Sequence, residues 1–482
     1  MSLASALNTT KATLSNTALQ SGVVSNNISN ASSTDYNRRA AVTTTNTSTG
    51  AMTVKIERVE DAALLKQSLA AASDDAGKQA FLDGMNSLSV VLGGQDYTAA
   101  PSTYLSALQN ALQTYAASPS DVTLASAAIS SASDVANSLN TASAAVQQLR
   151  GDADTEIATT VGKLNQLLSD FETANNAVKA ATAAGGDPNN ALDQRDGLLK
   201  QISSIVGIST TVRSNNDMVI YTSDGTTLFE TNPRQVSFDA QAAYDATSTG
   251  SRIYIDGVAI KTGAGSNTSS KGSLPALLQL RDEVYPTYQT QLDEIARSVM
   301  KTFAETDGSG DSVAGLFTTR DGSVVDFDAD PATAIPGLAG LITVSADATA
   351  TPVKLRDGSI AGDSPNTENS SGYSDLLYKY AAGLNAQMDF DPAAGISTNV
   401  SLLSFATDSA GFVEEYRSNA TSAAESTSAM LNKSKEAYSN STGVNLDEEL
   451  IQMLDIEQSY KAAAKLMSTI DDLLKTLMEA AN

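Results

Sequence analysis

The sequence predicts a mainly α protein with inserted β-rich segments. Heptad helices from the two chain ends pair, a long helical rod domain lies between them in sequence, and small outer β domains are inserted into it. Three observations carry this. Both ends of the 482-residue chain hold apolar stripes that step by three and four residues. The stretch from Asp121 to Ala184 holds no proline and keeps the same spacing. Hydrophobic residues make up 41% while aromatics make up only 5%, which suits long helices with small-residue faces better than one aromatic-rich globule.

In chain order, the first helix is predicted from about residue 3 to 28 on the stripe Leu3, Leu7, Thr10, Leu14, Thr17, Ser21, Val24 and Ile28. It would be about 40 Å long at 1.5 Å per residue, with polar breaks at Thr10, Thr17 and Ser21. The Asn-rich run that follows (Asn26, Asn27, Asn30, Asn37) is expected to stop it, because Asn tolerates left-handed backbone and caps helix ends. Residues 38–60 read as a long extended pair. Helices are expected at 62–92 and 102–117. From Leu139 through Val146, Ile157, Leu164 and Phe171 to Val178 the 3-4 spacing persists, weakened by about 1 kcal/mol each at Gly151 and Gly162. Gly185-Gly186-Asp187-Pro188 ends that helix, and another runs from 190 to 206.

Short β-prone runs follow at Ile208–Arg213, Met218–Tyr221 and Thr226–Phe229, and Ile253–Ile260 reads as a hairpin on Asp256-Gly257. Helices are expected at 274–304, 374–388 and 400–440. Segment 306–372 is rich in Gly, Asp and Pro with apolar runs at 341–345 and 352–355, and is expected to be loop and strand facing solvent. The last helix opens at Asn445 with Glu448 three residues on, and Asp447, Glu448 and Glu449 favour the positive end of the helix dipole. Its stripe is Leu446, Met453, Ile456, Tyr460, Ala463, Met467, Ile470, Leu474 and Leu477, with Glu449 breaking the register. Residues 1–45 carry Lys11, Arg38 and Arg39 against Asp35, whereas 441–482 carry three lysines against eight acids, so the two ends have opposite sign. The expected division is 1–60 with 441–482 as terminal helices plus extended segment; 61–207, 273–305 and 373–440 as the helical domain; 208–272 as a β-rich insertion; and 306–372 as a loop- and β-rich outer insertion.

A net charge of −25 argues against nucleic acid and against an anionic membrane surface. No run of about 18 apolar residues could span a bilayer, and MSLASALNTTK lacks the features of a cleaved secretory signal. With no His and no Cys, the usual bases, nucleophiles and zinc ligands are missing. Asp326, Asp328 and Asp330 open like a calcium loop, but Pro331 and Gly337 stand where Gly and Glu belong. The expectation is no enzyme, no cofactor and no metal.

Ser25-Asn26-Asn27-Ile28-Ser29-Asn30, followed by Thr34-Asp35-Tyr36 and Arg38, resembles the N-terminal signature of the axial proteins of the bacterial flagellum. Asp35 stands where that signature usually has Gly, and is expected to keep its left-handed turn. Asn189-Asn190-Ala191-Leu192-Asp193-Gln194-Arg195-Asp196 and Ser441-Thr442-Gly443-Val444-Asn445-Leu446-Asp447-Glu448-Glu449 are similar to segments of the flagellar hook-associated protein 1 family, as is Gly272-Ser273-Leu274 before a helix. The resemblance covers about the first 300 and last 80 residues. It implies a structural protein at the hook–filament junction, outside the cell, exported without a cleaved signal. Implied partners are further copies in a helical ring, the hook protein, a second junction protein, an export chaperone and the type III export apparatus. Subunit contacts are expected from Leu3, Leu7, Leu14, Val24, Asn26, Asn27, Ile28, Asn30, Tyr36, Leu446, Met453, Ile456, Tyr460, Met467, Ile470, Leu474 and Leu477. The chaperone is expected to read Met453, Ile456, Tyr460, Met467, Ile470 and Leu474. Alternatives are a hook or distal rod axial protein, and a secreted coiled-coil adhesin or enzyme.

Overall fold

Glycine and proline set several of the element boundaries. The computed structural model describes residues 3–45, 52–333 and 335–481. Helix α1 (Leu3–Ser29) leads into an antiparallel ribbon of β1 (Arg39–Thr45) and β2 (Met52–Arg58), then α2 (Ala62–Val91) and α3 (Pro101–Ala117), which opens on a proline at its first position. The proline-free stretch is one helix, α4 (Val122–Ala183), closed by Gly185 at φ 66° with Gly186 N donating to Ala181 O. Next come α5 (Asn189–Ile205), an antiparallel sheet of β3 (Ile208–Val212), β4 (Met218–Thr222) and β5 (Thr227–Phe229), and a smaller one of β6 (Val236–Ser237), β7 (Tyr254–Ile255) and β8 (Val258–Ala259), whose last turn is the expected Asp256-Gly257.

Helix α6 (Ser273–Gln279) follows Gly272, whose φ of 92° needs glycine. A π turn at Leu280–Val284 then joins it to α7 (Tyr285–Thr302). Beyond lie β9 (Glu305–Thr306), β10 (Ser312–Val313), β11 (Phe317–Thr319), α8 (Leu338–Leu341), β12 (Ile342–Val344), α9 (Ala346–Ala350), α10 (Lys354–Asp357), α11 (Asp375–Gly383), β13 (Gln387–Asp389), β14 (Asn399–Ser401), α12 (Leu402–Thr442) and α13 (Leu446–Ala481). The chain is thus mainly helical with small antiparallel sheets. No helix among the described residues is long and apolar enough to cross a membrane.

Two compact units form. One gathers residues up to Asp74, Leu164–Gln235 and residues from Thr427; the other gathers Asp75–Lys163 and Val236–Ser426. In the first, α1 and α13 pair antiparallel, with Ser21 against Met453 and Asn27 against Glu449. Thr10, Thr17 and Val24, seven residues apart, are buried on α1; Glu449, Ile456, Ala463 and Ile470, also seven apart, are buried on α13. The polar breaks in the first stripe are tolerated because each threonine satisfies its hydroxyl on its own helix. Thr10 Oγ1 donates to Ala6 O at 2.8 Å, and Thr17 Oγ1 to Thr13 O at 3.0 Å. The same unit packs Phe171 edge-on to Phe229, 5.0 Å between ring centres.

The second unit differs from expectation in three places. The single helix 274–304 is interrupted, because Pro286 has no N–H and its ring would crowd the preceding turn; the π turn absorbs the mismatch. That turn places Arg281 fully buried, with Nη1 2.6 Å from Asp154 Oδ1 and Nη2 donating to Ser251 O at 2.5 Å. The helix 374–388 stops at Gly383, because residues 387–389 pair with 399–401 instead. Segment 306–372 is not a solvent-facing loop. Phe317, Phe327, Leu338, Ile342 and Leu355 join the same buried cluster as Leu108 of α3 and Leu292 of α7, and much of the segment between them forms short helices. Its apolar residues are spaced irregularly, so no period announces the burial.

Candidate functional site: the joint between the chain ends

The Asn-rich stretch works through side chains, not through left-handed backbone. No residue from Gly22 to Arg39 has a positive φ, Asp35 included. Helix α1 ends with Asn30 N and Nδ2 both donating to Asn26 O. Asn27 is buried and makes four hydrogen bonds. Its Nδ2 donates to Arg39 O at 2.9 Å and to Glu449 Oε2 at 3.0 Å; its Oδ1 accepts from Arg39 N at 3.0 Å and from the Tyr36 hydroxyl at 2.7 Å. An amide side chain therefore does for the first residue of β1 what a neighbouring strand would do, and fills its whole donor and acceptor capacity.

Glu449 completes the joint. Its side chain has no exposed surface, and Arg38 Nε reaches Oε1 at 2.6 Å while Asn27 holds Oε2. The register break is thus part of the seam, with its charge met from the other end of the chain. Arg38 N donates to Thr442 O at 2.8 Å, and Asn37 Nδ2 donates to the buried Tyr438 hydroxyl at 2.8 Å. Burial pushes both the Tyr36 and Tyr438 hydroxyls above the usual phenol value, so both stay protonated donors or acceptors at neutral pH.

A second cluster holds the ribbon onto α5. Arg39 and Arg58 are direct partners across the ribbon, and both bond Asp193: Arg39 Nη2 to Oδ2, Arg58 Nε to Oδ1 at 2.8 Å. Arg58 Nη2 also reaches Asp196 Oδ2 at 2.5 Å. Burial alone would lower the Arg58 pKa, but the Asp196 carboxylate beside it, with help from Asp193, raises it above the usual guanidinium value. The intervening Arg195 points elsewhere, donating to Asn216 O at 2.6 Å and Asn175 Oδ1 at 3.3 Å. Asn175 Oδ1 also accepts from Met218 N, so this arginine ties the start of β4 to α4 and α5. Asp35 lies beside α5 as well, 3.1 Å from the Lys200 ammonium.

The residues singled out from sequence divide by exposure. Val24, Asn27, Ile456 and Ile470 are buried; Leu3, Leu7, Leu14, Ile28, Asn30, Tyr36, Met453, Met467 and Leu474 are half-buried; Asn26, Leu446, Tyr460 and Leu477 are exposed. Sequence reasoning placed none of Glu449, Arg38, Arg39, Arg58, Asn37, Tyr438 and Asp193 in a joint; it reads Glu449 as a dipole-favoured acid that breaks the register, Asn37 as part of the helix stop, and Arg38 and Arg39 as N-terminal charge. The available signal was that Glu449 lies on the same seven-residue grid as Ile456, Ala463 and Ile470. It also did not single out Leu450, Ile451, Leu454, Leu466, Leu473 and Met478, which leave α13 with an unusually apolar exposed surface. Where α1, α12 and α13 meet, Ile28, Ala31, Val444 and Leu446 line a cleft of about 650 Å3. The acids of the calcium-like stretch cap local turns, Asp326 Oδ1 accepting from Asp328 N and Asp330 Oδ1 from Ala332 N.

A family model described as the helical domain of the flagellar hook-associated protein FlgK matches residues 85–320, and one described as the C-terminal part of the flagellar basal body rod FlgEFG protein matches residues 435–480. The flagellar hook-associated protein 1 of Bacillus subtilis (strain 168) is 25% identical over 517 residues, covering 97% of this chain and 95% of that protein. The Escherichia coli (strain K12) protein of the same name is 24% identical over 61% of this chain and 56% of its own length. For that of Salmonella typhimurium the values are 23%, 58% and 52%, so both of these matches span about half of the relative. A solved structure of the flagellar hook junction protein FlgK from Burkholderia pseudomallei aligns with a TM-score of 0.43 at 24% identity, over 53% of this chain and 46% of that one.

Proposed function

We propose that the chain, whose family-model matches and similar relatives are flagellar hook-associated and rod proteins, works as a structural component of the bacterial flagellum that joins the hook to the filament and is needed for filament assembly. The paired terminal helices α1 and α13 line the inner tube at the junction. One observation carries this reading: the α1–α13 pair buries one stripe of α13 and leaves Leu450, Ile451, Leu454, Leu466, Leu473, Leu477 and Met478 exposed. A helix with that much bare apolar surface has more contacts to make than its own chain provides. Heterologous contacts with further copies would close the remaining faces and generate a ring or open helix.

The hook protein on one side and a second junction protein on the other complete the contacts. The joint of Asn27, Arg38, Glu449, Arg39, Arg58 and Asp193 then has a mechanical role. It holds the helix pair, the ribbon and α5 as one piece, so that load applied to the tube is passed to the rest of the unit without the helices peeling apart. No catalytic role is assigned. Before assembly, a dedicated export chaperone covers the stripe from Met453 to Leu474 in helix-in-groove mode and delivers the unfolded chain to the type III export apparatus. The decisive experiment is a strain lacking this chain, complemented with a labelled copy. It should build hooks and shed flagellin without complementation, and carry label at the hook–filament boundary with it. Normal filaments in the deletion strain would overturn the reading.

A further inference from the structure

Glu449 lies on the seam grid of Glu449, Ile456, Ala463 and Ile470, whose other members are apolar or small. Its two carboxylate oxygens are held by Asn27 Nδ2 and Arg38 Nε, both from the N-terminal segment of the same chain. We infer that Glu449 is a specificity-determining residue for helix pairing: it admits the N-terminal segment to the α13 seam and excludes a second copy of α13.

The need for such a residue follows from the two stripes. The seam face of α1 carries Thr10, Thr17 and Ser21, so it is the poorer apolar partner. The stripe of α13 carries Ile456, Met467, Ile470 and Leu474, and another α13 would match it better in area alone. Surface charge opposes that wrong pairing, since 441–482 holds eight acids against three lysines, but repulsion between exposed charges is screened by salt. Glu449 is screened far less, because it has no exposed surface. In a parallel α13 pair it would face another Glu449. In an antiparallel pair it would face the apolar far end around Leu477. Either arrangement buries a charge without a partner, whereas docking of the N-terminal segment supplies a guanidinium and an amide together. One polar residue at a seam position commonly sets partner choice in this way, at some loss of stability. The inference rests on the seam alone, so it stands or falls separately from the tube-lining reading.

The chain has no cysteine, which makes a clean reporter possible. Ser21→Cys with Met453→Cys replaces two neighbouring side chains, whose Oγ and Sδ lie 3.6 Å apart, and reads intramolecular pairing as a cross-link formed within one chain by a short bis-maleimide. Molar mass by light scattering at high salt reads pairing between chains. The full-length reporter chain should cross-link internally and remain a monomer. With Glu449→Leu, the association constant for dimers should rise at least about a hundredfold, equivalent to about 2.8 kcal/mol at 1.4 kcal/mol per decade. Glu449→Gln keeps the volume and an acceptor for Asn27 while removing the charge; it guards against misfolding of the leucine variant and should raise dimerisation at least about tenfold. Arg38→Met leaves Glu449 in place without its cation, and should lose the internal cross-link without gaining dimers. If the glutamine variant stays monomeric with its cross-link intact, or if Arg38→Met dimerises, Glu449 is an ordinary structural contact and the inference is wrong.

Discussion

Asp193 offers the sharpest test of the joint, because one carboxylate serves two arginines. Its side chain is 12% exposed, and those of Arg39 and Arg58 are 6% and 5% exposed, so solvent screens the pairs little. In Asp193→Ala, Arg58 keeps Asp196 at 2.5 Å, and its loss is partial. Among the described residues, Arg39 keeps Asn37 O at 2.7 Å, a 3.4 Å contact to Asn190 Oδ1 and its stacking on Tyr36, none of which carries a full negative charge. Removing one partner of a buried pair costs about 3–5 kcal/mol, and Arg39 should bear most of it. Asp196→Ala strands no cation, since Arg58 still has Asp193, and should cost about 1–3 kcal/mol. Hydrogen exchange read by mass spectrometry resolves this by segment. Peptides covering β1, β2 and the start of α5 should exchange about two to three decades faster in Asp193→Ala. Peptides of α3 and α7 in the other unit should not change. Unaltered protection around Arg39 would refute the argument, and so would equal acceleration in both units.

Other predictions follow from burial and charge. Ile470→Asp places a carboxylate at a buried seam position and should cost several kcal/mol, while Leu14→Asp, at a half-buried one, should cost less; counts of filaments and of flagellin shed into the medium should rank the two mutants in that order. Deleting 306–372 should leave no soluble, cooperatively folded second unit, because Phe317, Leu338, Ile342 and Leu355 are core residues, and Phe317→Ala alone should cost about 3–5 kcal/mol by urea unfolding; a deletion that folds and keeps motility would contradict the packing described above. Asp293 accepts from Gly337 N, Ala339 N and Gln289 Nε2, yet burial outweighs these donors, with Glu294 alongside, and pushes its carboxyl up to about 6. Because that value lies above the unfolded one, the stabilisation is complete below about pH 4 and is lost as pH rises through about 6. The stability of wild type relative to Asp293→Asn should therefore fall by about 2–3 kcal/mol between pH 4 and pH 7, and a flat difference would show that the backbone donors dominate instead.

The helices were legible where period and punctuation agree. α4 could be placed from its unbroken 3-4 spacing and its Gly-Gly-Asp-Pro end, and α13 from Asn445, whose Oδ1 does accept from Asp447 N and Glu448 N. Elements that depend on a single backbone donor were harder to see. Pro286 removes one N–H inside a periodic stretch, and the period continues past it, so the π turn left no mark on the pattern. The burial of 306–372 was hidden for a different reason: short turns and helices bring Phe317, Leu338 and Leu355 into one core without any repeat that a sequence window can detect.

The joint shows how a local rule can mislead while the longer pattern is sound. Asn is common where backbone turns left-handed, so an Asn-rich stretch suggests backbone strain. Here the relevant property is the amide itself, which offers donors and acceptors to Arg39, Tyr36 and Glu449 at once. Glu449 likewise looked like an error in the stripe only because its partners lie more than four hundred positions away in sequence. Periodicity identified the two helices that meet; it could not identify the residues that make them meet each other. A charge inside an apolar grid, together with an Asn and Arg cluster at the opposite chain end, is the combination that marks such a joint. The physical reason is that neither half can be buried without the other.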